Sequence, residues 1–129
     1  VLARSQELYK RQADKRRITA PELKENQYWI MFILVVFLGP IIEELLFRLN
    51  FKEVFKKKWI FVVITGFIFG FMHVILSLSN LSDLLYLIPY SSLGLAFGLI
   101  YYETNNICSS IMMHMFHNSL TILIIFLGI

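Results

Sequence analysis

Four apolar runs, each close to the ~20 residues that carry a helix across a bilayer, leave this chain few ways to fold. They extend from about Tyr28 to Phe51, from Trp59 to about Ser79, from Leu84 to Tyr102 and from Ile107 to Ile129. In hydrocarbon every backbone N–H and C=O must be satisfied within the protein, so helices and closed barrels are the structures that can span. A barrel strand alternates polar and apolar residues over ~10 positions, and these runs are too continuous for that. The expected fold is all-α, a polytopic membrane helical bundle with about four spans in this fragment. A composition of 57% hydrophobic and 16% charged residues over 129 positions agrees, and the length suits one domain.

Charge divides the chain. All 12 Lys and Arg lie within residues 4–58, and residues 59–129 hold only Asp83 and Glu103 as charged side chains. This suggests a basic membrane-flanking segment over 1–27 and a membrane domain over 28–129. Net charge +3 then describes a basic front end and not a nucleic-acid surface, because no recognition module or aromatic–basic interleaving accompanies it. Lys10-Arg11 and Lys15-Arg16-Arg17 can reach anionic headgroups, at ~1 kcal/mol per basic residue near the surface, or can simply be a solvated flank. Membrane lipids are the expected surroundings. Thr19-Ala20-Pro21-Glu22 has the pattern of a helix start. The front end is too polar for a signal peptide, and a chain that begins with Val and ends inside an apolar run reads as a fragment of a longer protein. One cysteine, Cys108, excludes an internal disulfide and a multi-cysteine metal site, and is expected to be a small packing residue near a helix start.

Orientation is contested by two basic clusters. The loop Lys52 to Lys58 places the C-terminal end of the first span in the cytoplasm, and residues 1–27 argue the same for its other end. Either Gly39-Pro40 breaks the segment, or one cluster lies on the unexpected side.

The first run carries Glu43-Glu44-Leu45-Leu46-Phe47-Arg48. A central ionised residue costs roughly 2.5–3.5 kcal/mol on an insertion scale, so such residues are usually paired or face a wet cavity. Glu44 and Arg48 share a helix face in the favourable acid-before-base order, which leaves Glu43 about 100° away round the helix. A partly desolvated carboxylate outside an ion pair can act as a general base toward water. All three groups can equally form a structural anchor near the headgroups.

The later spans carry small or polar residues at helical spacing: Gly66, Gly70, His73, Ser77; then Ser91, Gly94, Gly98; then Ser110, His114, Asn118, Thr121. Small residues allow close helix contact and polar ones avoid lipid, so these stripes should face inward around a polar intramembrane cavity. Gly94 and Gly98 read as packing. His73 alone reads as a core histidine. His114 and Asn118, one turn apart, offer two donors suited to an oxyanion, at ~3–4 kcal/mol per donor, or again core contacts, and His117 lies off their line. A zinc site from Glu43, His73, His114 and His117 is the rival chemistry. No His-Glu-x-x-His supports it, and no Gly-x-Ser-x-Gly supports a serine nucleophile.

Taken together, Glu43-Glu44-x-x-x-Arg48, Phe69-x-x-x-His73 and His114-x-x-x-Asn118, on three spans in this order, resemble the CPBP family. Its members are intramembrane glutamic endopeptidases related to CAAX prenyl proteases and bacteriocin-processing or self-immunity proteins, also called Abi proteins. The stretch from Gly94 to Asn105 resembles the family's linking helix and turn, whereas Leu49-Asn50 departs from a pattern in which glycine often follows the arginine. The resemblance, over about residues 28–125, implies a metal-independent site without cofactor. In it Glu43 and His73 activate a water, His114 and Asn118 stabilise the oxyanion, and Glu44 with Arg48 braces the site. The implied substrate is a membrane-associated peptide or protein, and a Lys-, Ile- and Phe-rich composition suggests a multi-pass protein of a bacterial plasma membrane. A non-proteolytic immunity or scaffold protein of the same family is the alternative. A proton-linked transporter using Glu43 and Glu44 is a weaker one, since no inverted repeat with broken helices is visible.

Overall fold

The computed structural model describes residues 6, 7, 10, 11 and 27–128, so the helix start expected at Thr19–Glu22 lies outside the described residues. Four helices among the described residues are long and apolar enough to cross a membrane: α1, Gln27–Val54; α2, Lys58–Ile75; α3, Leu81–Thr104; and α4, Ile107–Leu127. No strand occurs among the described residues. At 1.5 Å per residue the 18 residues of α2 rise ~27 Å, near the ~30 Å of a hydrocarbon core. The chain divides into two compact units, residues 1–35 and 36–129. In the first, Trp29 packs edge-on against Phe32 at 6.2 Å, and Arg11 pairs with Glu7 on an exposed surface.

The second unit holds α2, α3, α4 and the later part of α1. Its tightest seam joins α2 to α3, and glycine makes that seam possible. A Cβ on Gly94 would sit 2.7 Å from the Gly66 carbonyl oxygen, and one on Gly66 would sit 2.8 Å from the Leu95 amide nitrogen. Backbone therefore lies directly on backbone, as small-residue stripes in membranes allow. Two aromatic clusters fill the core beside this seam. Phe47, Phe69 and Phe97 form one, with ring pairs near 6 Å and almost perpendicular. Phe61, Val62 and Tyr101 form the other. Much of the remaining apolar surface is exposed, including Phe67, Phe71, Phe116 and Phe126, as expected of side chains facing lipid tails rather than water.

Several boundaries differ from the sequence reading. Gly39-Pro40 does not end the first helix: Gly39–Glu44 stays helical, with wider i→i+5 turns over Leu34–Leu38 and Leu45–Leu49 on either side. Proline lacks an N–H and its ring crowds the carbonyl four residues back, and the wider turn before it relieves that crowding. α2 ends at Ile75, so Ser77 is not on its inner stripe. The Ser77 hydroxyl instead lies 3.3 Å from the Val74 carbonyl and 3.2 Å from that of His73. Thr121 is exposed rather than inward-facing, and so is Cys108. The α3–α4 turn is sharp because Asn105 takes the left-handed conformation at φ 51°, after which the Asn106 side chain accepts a bond from the Cys108 amide and starts α4.

Candidate active site

Consecutive side chains leave a helix about 100° apart, and Glu43 and Glu44 end in different surroundings. Glu44 is fully buried. Its Oε1 accepts from His114 Nδ1 at 3.1 Å, its Oε2 accepts from Ser110 Oγ at 2.5 Å, and Arg48 Nε lies 3.3 Å from Oε2. Arg48, also fully buried, donates through Nη2 to the Gly94 carbonyl at 2.9 Å and lies 4.9 Å over the Phe69 ring. The ion pair foreseen between Glu44 and Arg48 thus forms, and it ties α1 to both α3 and α4.

Glu43 takes none of those donors. Its Oε2 is buried without a hydrogen-bond partner among the described residues, and it lies 3.6 Å from His73 Nε2 and 3.8 Å from His114 Nε2. Both imidazoles are oriented from behind. His73 Nδ1 lies 2.9 Å from the Phe69 carbonyl, which can only accept, so Nδ1 carries a proton and Nε2 is the nitrogen turned toward Glu43. The Glu44 carboxylate fixes His114 in the same sense. Aromatic rings press on both: Phe97 stacks on His114 at 4.6 Å and 21°, while Phe69 lies 4.3 Å and Tyr90 5.0 Å from the His73 ring. Glu43 Oε2 and the two imidazole Nε2 atoms thus converge at separations too long for direct hydrogen bonds. The Glu43 and His73 side chains are 30% and 29% exposed, against 4% for His114, so the site opens on the Glu43–His73 side.

The structure therefore gathers Glu43, His73 and His114 from α1, α2 and α4, with Glu44 and Arg48 behind them. Asn118 stands one turn beyond His114, half-buried, and its Oδ1 lies 3.3 Å from His117 Nδ1. No group of three His, Cys, Asp or Glu side chains among the described residues has metal-holding geometry. The sequence reading gave no role to Ser110 or Tyr90. Ser110 was visible one turn before His114 on the same stripe. Tyr90 precedes Gly94 by one turn, yet tyrosine near a span end ordinarily reads as an interface anchor.

The family model for type II CAAX prenyl endopeptidases, Rce1-like, matches residues 25–120. The chain belongs to this family. The Rce1-like match includes every residue of the Glu43 site and bears out the resemblance to CPBP proteins. "Putative membrane peptidase YdiL" of Bacillus subtilis (strain 168) is 30% identical over 97 residues, 73% of this chain and 36% of that protein. "UPF0177 protein YbdI" of Lactococcus lactis subsp. lactis (strain IL1403) is 37% identical over 51 residues, 40% of this chain and 28% of that protein. The chain spans about a third of the length of the curated relatives it matches. No solved structure matches it.

Proposed function

We propose that this Rce1-like chain is the membrane-embedded catalytic region of a metal-independent glutamic endopeptidase acting on a membrane-associated peptide or protein. The observation that carries the reading is Glu43 Oε2, a buried acceptor without a partner among the described residues, set between two oriented imidazole nitrogens. A water held by the Glu43 carboxylate and His73 Nε2 gives its proton to Glu43 as its oxygen attacks the peptide carbonyl carbon. The carbonyl electron pair moves onto oxygen. When that tetrahedral intermediate collapses, the C–N bond breaks and Glu43 returns the proton to the leaving amine. His114 and the Asn118 amide are the donors to the oxyanion, and in this role His114 carries a proton on each nitrogen, Nδ1–H to Glu44 and Nε2–H to the oxyanion. Glu44, Arg48 and Ser110 hold that arrangement from the protein side. Both named relatives are bacterial, and a bacterial plasma membrane is the setting we assign.

The test uses full-length protein in proteoliposomes, with matched farnesylated and unprenylated membrane-anchored peptides and product detection by mass spectrometry. Glu43→Gln keeps the shape of the side chain and removes the base, and turnover should fall by about 10²–10⁴-fold, the usual contribution of a positioned general base. Unchanged turnover in that variant refutes the mechanism. Replacement of Glu43, His73 and His114 with no loss of cellular phenotype would favour the immunity or scaffold reading.

A further inference from the structure

Resting on the reading of His73 as the partner of Glu43 in water activation, we infer that Tyr90 is a positioning residue. Its ring clamps the His73 imidazole so that Nε2 faces Glu43 Oε2.

The two imidazoles of the site are held differently. His114 has its Nδ1 on a buried carboxylate and its face on Phe97, itself 2% exposed, so the core locks it. His73 sits in the last turn of α2, and its Nδ1 bond to the Phe69 carbonyl comes from its own helix. A single bond at one edge lets the ring pivot about that contact, and pivoting moves Nε2. Phe69, on the same helix, lies against the ring at a 36° tilt. The more nearly parallel contact, 22° at 5.0 Å, comes from Tyr90 on α3.

The backbone is built to deliver that ring. A Cβ on Gly70 would fall 2.6 Å from the Ser91 amide nitrogen and 2.9 Å from its Cα, so α2 and α3 touch one turn before His73 and one residue after Tyr90. Ser91 turns into this seam and is 5% exposed, while its neighbour Tyr90 turns outward at 37%. Neither aromatic core cluster includes Tyr90. A large ring outside the core, seated on a functional imidazole beside a glycine contact, has the placement of a clamp rather than a packing element.

Tyr90→Phe, Tyr90→Leu and Tyr90→Ala in the full-length protein test this in micelles. Tyr90→Phe keeps the ring and should retain kcat. Tyr90→Ala should lower kcat by about 10- to 100-fold, the loss that a displacement near 1 Å produces, with Tyr90→Leu between them and thermal unfolding unchanged in all three. With ¹³C-labelled histidine, the His73 ring signals, assigned by their loss in His73→Gln, should carry a ring-current displacement that persists in Tyr90→Phe and vanishes in Tyr90→Ala. Parental kcat in Tyr90→Ala, equal losses in the Phe and Ala variants, or unmoved His73 signals in Tyr90→Ala each overturn the proposal. The spectroscopic arm reads the clamp without reference to activity, so a failure of the peptidase reading, seen in Glu43→Gln, is distinguishable from a failure of the clamp.

Discussion

Replacing Arg48 by Met keeps an unbranched side chain of similar reach and strips Glu44 of its cationic partner. Both groups are fully buried, with Nε 3.3 Å from Oε2, so solvent screening does not reduce the effect. Removing one member of a buried pair costs about 3–5 kcal/mol, because the other charge stays behind uncompensated. The same substitution deletes the bond from Nη2 to the Gly94 carbonyl, a further loss of ~0.5–1.5 kcal/mol. Glu44→Gln strands Arg48 in the same way and also weakens the hold on His114 and Ser110. The double variant leaves neither charge, so its destabilisation should fall short of the summed single effects by ~1–3 kcal/mol, the coupling expected of residues in contact. Unfolding of the full-length protein in mixed detergent micelles, followed by tryptophan fluorescence, supplies the four free energies of the cycle. Additive single effects, or an Arg48→Met variant within ~0.5 kcal/mol of the parent, a shift typical of inconsequential surface changes, would refute the argument.

Gly94→Ala should destabilise the α2–α3 seam by about 1–3 kcal/mol, since its Cβ would meet the Gly66 backbone at 2.7 Å. Gly98→Ala should be milder in the same unfolding assay, because its nearest neighbour is the Thr65 hydroxyl at 3.2 Å. Asn118→Ala should lower kcat by about 10²–10³-fold if its amide serves the oxyanion, with substrate KM nearly unchanged in the proteoliposome assay. A loss confined to KM would move Asn118 from chemistry to binding.

The four helices were legible because apolar run length is a direct requirement of the bilayer, and the separation of Glu43 from Glu44 was legible because helix geometry alone turns them apart. Helix ends were less so. Leu76 and Leu78 prolong the second apolar run past Ile75, and apolarity cannot mark where the Ser77 hydroxyl takes over carbonyls of the last turn. Pro40 reads as a breaker in water. In hydrocarbon an interrupted backbone exposed to lipid is far costlier than a widened turn, and the helix continues. Ser110 could be placed on the inner stripe of α4, but its bond to Glu44 depends on the register between α1 and α4, which no local pattern contains. Tyr90 was illegible for the same reason: its partner is set by how closely Gly70 lets α3 approach.

The widened turn after Glu44 also bears on how one short stretch supplies both a buried ion pair and a partly exposed base. Glu44 and Arg48 are one α-turn apart, a spacing at which a guanidinium can fork across both carboxylate oxygens. Leu45–Leu49 instead takes i→i+5 geometry, of the kind often found at functional sites. Arg48 meets Glu44 through Nε at a single oxygen and extends Nη2 to Gly94 on α3. Glu44 Oε1 is thereby left for His114. The Glu44 carboxylate thus joins the ion pair to the orientation of His114, and the seam at Gly94 and Gly66 joins the same arginine to the helix that carries His73. A substitution that restored α geometry over Leu45–Leu49 should therefore affect His114 before it affects global stability. Histidine ring signals in the full-length protein would show that order, and unfolding that precedes any change at His114 would contradict it.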